Sequence, residues 1–359
     1  MFEEGIDIIE CCKKPGQFSG IIEVSSKWNA SDYVGSIKCR IINSFRMKYK
    51  IDPGLYRIGE PDENSDVFAS ANYKLSFDIL RKSLAGLNAW ILVLDTKGIN
   101  VWCAAGKGTF GTDELVRRIN ETNLGSFLNH RRVIVPQLGA VGVNSDAVYK
   151  KSGFRVYFGP VYAKDIKDYL KGNKKKTLEM RGINFSLAER IILIPMEIIP
   201  AMKLFLVFAI IAILFFGLEP GGILFKEAWS GGIPFLLLGL ASVIGGTLIT
   251  PALLPFIPFR SFALKGWIVG ILSVIITLFF LNPGLYLSGQ KNILVFVAGV
   301  LFFPMASSYF ALQFTGSTTF TNMSGVKKEL KIALPVYYTV AGISILLLII
   351  YKLHQFGIA

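Results

Sequence analysis

The chain has 359 residues, 52% of them hydrophobic, with a mean hydropathy of +0.50 and a formal net charge of +13. That apolarity excludes an ordinary soluble protein of this size, and it is unevenly spread: only nine of the 38 basic and four of the 25 acidic residues lie after Arg190. The positive charge does not point to nucleic acid, because no basic stretch is interleaved with the aromatics on which single-strand binders stack bases.

In chain order, Met1-Phe2-Glu3-Glu4 is acidic and lacks a signal-peptide core. The four cysteines, Cys11, Cys12, Cys39 and Cys103, form no CxxC pair. The expectation is a domain held in a reducing cytoplasm with free thiols. Residues 1–50 read as an N-terminal extension. Residues 51–190 read as an α/β layered domain, and residues 191–359 as an all-α membrane domain.

Within the α/β domain, residues 70–78 read as a loop entering a helix that stops at Gly86. Residues 89–95 (AWILVLD) form an apolar run of the kind that makes a fully buried strand of a parallel sheet. Thr112 is a natural N-cap, followed by Asp113 and Glu114 in a first helical turn. Residues 132–136 and 154–160 read as further buried strands and residues 165–170 as a helix. Ligands of such layered folds sit at the carboxyl ends of the strands. Two segments fall there, the turn around Cys103 and the loop 137–142.

Gly106-Lys107-Gly108-Thr109-Phe110-Gly111 fits GxGxxG, but it starts too far past its strand for a dinucleotide fold. Lys107 is followed by Gly108, which excludes a phosphate loop. Cys103 has two readings. It is a small buried hydrophobe, or it is a thiolate favoured by a helix N-terminus and by Lys107 at i,i+4 spacing. Ala104, Ala105 and Gly106 leave room above the sulfur for something broad.

Five apolar stretches, near 200–218, 233–254, 262–281, 293–312 and 334–351, are long enough to cross a bilayer. Glu219-Pro220-Gly221-Gly222, Pro255-Phe256-Ile257-Pro258 and Asn282-Pro283-Gly284 punctuate them. Arg181, Arg190 and Lys203 flank the first stretch, Arg260 and Lys265 fill the second loop, and Lys327, Lys328 and Lys331 the fourth. The other loops carry only Lys226, beside Glu227, and Lys291. Positive-inside counting puts the N-terminal domain in the cytoplasm and the C-terminus on the far side of a cytoplasmic membrane. Lys174-Lys175-Lys176, with Lys171, fits contact with anionic membrane lipid. No ionisable residue sits near mid-span, as a transporter would require. Ser242, Thr247, Ser273, Thr277, Ser307 and Ser308 read as helix–helix or backbone hydrogen bonding, so the block reads as an anchor and docking platform.

Asn100-Val101-Trp102-Cys103-Ala104-Ala105-Gly106-Lys107 resembles the cap-helix signature of the HgcA family of mercury-methylating corrinoid proteins. The runs Ala71-Asn72-Tyr73-Lys74-Leu75-Ser76-Phe77-Asp78, Val135-Pro136-Gln137-Leu138-Gly139-Ala140 and Ser152-Gly153-Phe154-Arg155-Val156-Tyr157-Phe158-Gly159-Pro160 also resemble that family. The broader domain is similar to the corrinoid-binding domain of the corrinoid iron–sulfur protein of the acetyl-CoA pathway.

The resemblance implies a Rossmann-like corrinoid-binding domain, a cobalamin-type corrinoid, and Cys103 as lower axial ligand of its cobalt. It places Asn72, Thr96, Gly98, Asn100, Val101, Trp102, Ala104, Ala105, Gly106, Lys107, Gln137, Leu138, Gly139, Ala140 and Gly153 around that cofactor. A thiolate beneath cobalt donates electrons as it does to haem iron, so the implied activity is methyl transfer from methyl–Co(III) to Hg(II) as substrate. Implied partners are a small ferredoxin-like protein with two 4Fe–4S clusters, docking near Arg260 and Lys327, and a folate-dependent methyl-donor system. Cys11-Cys12 reads either as a mercury-capturing pair or as two ordinary thiols. His130 and His354 lie in no histidine-ligation motif. Two alternatives share these residues: a membrane-anchored corrinoid methyl carrier of one-carbon metabolism, and a non-catalytic transport or sensor protein.

Overall fold

The computed structural model describes residues 21–281, 292–318, 320–321 and 323–358. The acidic start, Cys11-Cys12, Asn282-Pro283-Gly284 and Lys291 lie outside the described residues. The chain divides into two compact units, Met1–Asn184 and Phe185–Ala359.

The first unit is built on a six-stranded sheet of β1 (Ile21–Glu23), β2 (Gly54–Ile58), β3 (Val67–Ala71), β4 (Ala89–Leu94), β5 (Arg132–Val135) and β6 (Arg155–Phe158). Their order across the sheet is β1-β2-β4-β3-β5-β6. Strands β4, β3, β5 and β6 run parallel, and β2 is antiparallel to β4. The helices are α1 (Ala30–Ile41), α2 (Asn43–Lys48), α3 (Lys74–Ser83), α4 (Val101–Lys107), α5 (Thr112–Glu121), α6 (Ser145–Ser152) and α7 (Ile166–Lys171).

Alternate residues of the central strands feed two cores. Leu92, Leu94, Val133 and Val135 pack with Phe110, Leu115 and Val148 on one face. Ile91, Val93, Phe68 and Ile134 pack with Phe77, Leu80 and Tyr169 on the other. All six residues of β4 are therefore buried, the physical reason that its sequence is one apolar run rather than an alternation. From β3 the chain goes through α3 to β4 on one side, then crosses to β5 on the other. The carboxyl end of β3 is thus a topological switch point. Near the amino end of β3, Phe68 and Ile134 form its single registered pair with β5, and the two strands part beyond it toward that switch point.

Several local expectations shift. Ser70 and Ala71 finish β3 rather than starting a loop; the polar Ser70 and Asn72, both buried, disguise that strand. Strand β6 lies at the sheet edge with alternating exposure, because it has one neighbour instead of two. Thr112 is the first residue of α5, and the cap position is held by Gly111.

Residues 21–50 are integral to this unit. Strand β1 extends the sheet, and α1 is fastened by buried charges. Asp32 pairs with Lys74 and with Arg81, both at 2.6 Å, and Asp78 pairs with the same two cations at 2.8 Å. Trp28 Nε1 donates to the Asp78 carbonyl at 2.8 Å. Burial works to raise the Asp32 pKa, but hydrogen bonds from Lys74, the Asn29 N–H and Arg81 outweigh it and hold the carboxyl below its ordinary range.

The second unit has five helices long and apolar enough to cross a membrane: Leu187–Gly217, Phe225–Ala252, Phe262–Phe280, Ile293–Gly316 and Ser324–Gln355. The first begins at Leu187 rather than near 200, capped reciprocally by Ser186 and Glu189. The fifth likewise starts a polar turn or two before its apolar stretch. In the second, Gly245–Ile249 form a π-turn, and Thr250 Oγ1 donates to the Gly245 carbonyl at 2.8 Å. The third and fourth helices touch closely: Ser307 Oγ donates to the Gly266 carbonyl at 3.0 Å. A Cβ on Gly270 would come within 2.8 Å of Pro304 Cα. Small residues at the contact let the backbones approach. Ser242 and Thr247 instead satisfy carbonyls of their own helix.

Candidate functional site

After β4 the chain turns through residues 95–100 into α4, and that turn is fixed from outside. Asn72, just past β3, supplies one amide oxygen that accepts the backbone N–H of Thr96 at 3.0 Å and of Gly98 at 2.9 Å. Its Nδ2 donates to Asp95 Oδ1 at 3.3 Å. Lys97 and Gly98 both adopt positive φ, +59° and +73°, the left-handed geometry that glycine accepts without strain. Glu114 Oε1 accepts the Asp95 N–H at 2.7 Å. Burial works to raise the Asp95 pKa, but hydrogen bonds from the Lys97 side chain and N–H bring the net value below the ordinary range. Asn72 and Thr96 are almost fully buried and Gly98 is buried. These three expected site residues are bonded to one another and shape the turn.

Asn100 caps α4, accepting the Cys103 N–H at 2.9 Å. The helical phase then sorts the signature into two sides. Ala104 and Ala105 point into the core against Phe110, so they do not line the space above the sulfur. Trp102, Gly106 and Lys107 are exposed, and Cys103 is half-buried. A Cβ on Gly106 would meet nothing within 4 Å. The open face beside Cys103 is therefore made by Gly106, with Lys107 one turn on. Among the described residues, neither the Cys103 thiol nor the Lys107 ammonium has a hydrogen-bond or ion-pair partner.

The loop 137–142 packs under α4. A Cβ on Gly139 would lie 2.6 Å from the Phe110 ring, and one on Gly142 would strike the Phe110 carbonyl. Gly139 therefore serves loop–helix packing. Gln137 is engaged by Lys176, whose Nζ donates to its Oε1. Burial pushes the Lys176 pKa down, and Arg181 adds to this. Lys174 pairs with Asp66. Two of the four lysines read as lipid contacts are thus spent inside the α/β unit. Ala140 is half-buried in the same loop.

Where β3 and β5 part, a cleft of about 350 Å³ opens at the carboxyl ends of the strands. Asn100, Val101, Trp102 and Leu138 line it, as do Pro136 and Tyr162. The structure therefore brings together the first turn of α4 and the 137–140 loop, with Cys103 next to the cleft on the same short helix. Gly153 does not join them. It is the left-handed C-cap of α6, two residues before β6, and so lies at the opposite, amino edge of the parallel strands. His130, 3.0 Å from the Ser65 carbonyl, precedes β5 at that same far edge.

Sequence reasoning missed Tyr162, Val161 and Ile79 in the cleft. The available signal was the rule that every parallel strand ends on the binding edge, which applies to Gly159-Pro160 after β6 as much as to β4 and β5.

Comparison with known proteins places this unit among relatives. The chain is 29% identical over 140 residues to the acetyl-CoA decarbonylase/synthase complex subunit gamma of Archaeoglobus fulgidus, covering 38% of this chain and 29% of that protein. It is 32% identical over 127 residues to the Methanopyrus kandleri subunit, covering 35% and 27%. It is 31% identical over 136 residues to the Methanocaldococcus jannaschii subunit, covering 37% and 28%. The chain thus spans less than a third of the length of the curated relatives it matches. Residues 36–170, which hold the whole cleft and the Cys103 helix, match the family described as CdhD, the CO dehydrogenase/acetyl-CoA synthase delta subunit.

Proposed function

We propose that the chain is a membrane-anchored corrinoid methyl-transfer protein with Cys103 as the sulfur donor beneath cobalt. The observation that carries this is the open face of α4, where a half-buried thiol, without a partner among the described residues, stands beside Gly106 and next to an apolar cleft at the switch point of a parallel sheet. A soft sulfur donor with space on its outer side suits a large planar metal macrocycle. When bound, a corrinoid supplies a methyl group on cobalt, and electron donation from sulfur favours its departure as a carbanion-like group.

The residues of the chain have distinct tasks in this reading. Asn100 fixes the helix turn that presents Cys103. Asn72, Thr96 and Gly98 hold the turn rigid. Trp102, Val101, Leu138 and Tyr162 offer apolar surface and exclude water from the cleft. Lys107 places a positive charge one turn beyond the thiol on the same helix.

The comparisons support a methyl carrier of one-carbon metabolism, since the matched relatives are named as subunits of acetyl-CoA decarbonylase/synthase complexes. Partner proteins follow naturally from that likeness. A second reading, transfer to Hg(II), is favoured by Cys103 itself and by the eight-residue signature around it, because strong donation by sulfur suits a soft electrophilic acceptor. In both readings the α/β unit faces the cytoplasm by the excess of Lys and Arg in the flanking loops. Electrons come from a separate ferredoxin-like protein and methyl groups from a folate-dependent system.

The test is the absorption spectrum of purified full-length protein with cobalamin, wild type against Cys103→Ala, followed by incubation of the methylated protein with Hg(II), a thiol or tetrahydrofolate. A cobalt–sulfur signature lost in the variant supports the shared chemistry, and the acceptor that takes the methyl group decides between the two readings. Absence of any spectral change with the wild type would return the domain to a ligand-binding role without turnover.

A further inference from the structure

We propose that the membrane unit carries a binding site for one anionic phospholipid, between the loop joining its second and third helices and the start of its fifth. A space of about 1110 Å³ lies there, at the large end of ligand cavities, which run to roughly 1,000 Å³. Its two ends differ in chemistry. At one end stand Arg260 and Lys328, both exposed and, among the described residues, without a carboxylate partner. The carboxylate in the lining, Glu329, is already engaged: it accepts from Ser261 Oγ and from the Ala263 N–H, both at 2.6 Å. The cations are therefore left to an outside anion.

Away from that end the walls are apolar. Lys328, Ile332 and Val336 recur every four residues on the fifth helix and so form one stripe, charged at its start and aliphatic beyond. Leu264 and Trp267 face the space from the third helix. Ile332 is 63% exposed and Leu264 50%, which leaves a hydrocarbon-seeking surface along the spanning helices. A headgroup phosphate at Arg260 and Lys328 with acyl chains along Ile332, Val336 and Leu264 satisfies both ends at once. A soluble acidic partner would satisfy only the first. Lys327 and Lys331 lie in the next positions and strengthen the positive field. Positive-inside counting sets this end at the cytoplasmic leaflet, where anionic lipid is concentrated.

The experiment uses the full-length protein in neutral detergent and three probes: dioctanoyl phosphatidylglycerol, dioctanoyl phosphatidylcholine and inorganic phosphate. Binding is read by native mass spectrometry and by the shift in unfolding temperature. The expected result is one phosphatidylglycerol retained with a raised unfolding temperature, and neither effect from phosphatidylcholine or phosphate. Arg260→Gln with Lys328→Gln should weaken that lipid about thirtyfold. Ile332→Ser should weaken it as well, and Lys226→Gln, in another loop, should not. Equal binding of phosphatidylcholine, displacement of the lipid by inorganic phosphate, or an unchanged affinity in the double variant would overturn the proposal.

Discussion

Asn72 and Thr96 are joined twice: the Asn72 amide oxygen accepts the Thr96 N–H at 3.0 Å and lies 2.9 Å from Thr96 Oγ1. Because Gly98 bonds to the same oxygen, one side chain beyond β3 sets the path of the chain beyond β4. Replacing Asn72 with Ala strands two buried N–H groups, each of which costs about 1–3 kcal/mol. The expected outcome is a fall in unfolding free energy together with weaker corrinoid binding, measured by chemical denaturation and by spectral titration. A loss of affinity at unchanged stability would show instead that Asn72 touches the ligand.

Cys103 is half-buried and without a partner among the described residues, so Cys103→Ala should cost at most about 1 kcal/mol of stability. Methyl transfer should be abolished. Cys103→His should retain a bound corrinoid and lose transfer, because imidazole donates less charge than thiolate; circular dichroism and the cobalamin spectrum separate these effects.

Gly106→Ala distinguishes helix stability from ligand fit. Alanine improves a helix interior by about 1 kcal/mol, and the added methyl meets no atom within 4 Å. The variant should therefore be more thermostable. If a broad cofactor lies on this face, it should also bind that cofactor more weakly. On the inner face of the same helix, Ala104→Val should lower stability by about 1–3 kcal/mol through overpacking, with no gain anywhere.

The buried charge cluster gives a pH dependence with a definite sign. Asp32 in the folded chain titrates below its ordinary value of 3.8, so the unfolded chain binds more protons between the two values. Its contribution is complete above the unfolded value and is lost as pH falls through the folded one. Asp32→Asn should cost about 3–5 kcal/mol near neutral pH, since it leaves buried cations underpaired. It should also flatten the acid limb of the stability profile, followed by the fluorescence of Trp28.

The sequence was legible where one interaction dominates. The all-apolar run at 89–94 reads as a central strand because both of its faces are covered. The five helices long and apolar enough to cross a membrane read from hydrocarbon length alone, but the starts at Leu187 and Ser324 lie in polar turns that hydropathy does not reach. Strand β3 is hidden by the polar Ser70 near its end and Asn72 just past it; Asn72 is satisfied by the distant 95–98 turn and Ser70 by the neighbouring Ala71 carbonyl. Ala104 and Ala105 were read as ligand-facing because small size marks close packing without saying on which side. Gly153 looked like part of the site because its neighbours in sequence continue into a site-edge strand, yet the strand runs away from it. The contribution of residues 21–50 rests on ion pairs to positions more than forty residues away, which no local pattern reveals.

Those ion pairs decide where the α/β unit can be cut for expression. A fragment starting at Ile51 would strip β1 from β2 and bare a ladder edge open to intermolecular pairing. It would also leave Asp78 alone against Lys74 and Arg81. Such a truncation should aggregate or lose solubility, whereas one that begins before Ile21 keeps the outer strand and the helix pinned by Asp32.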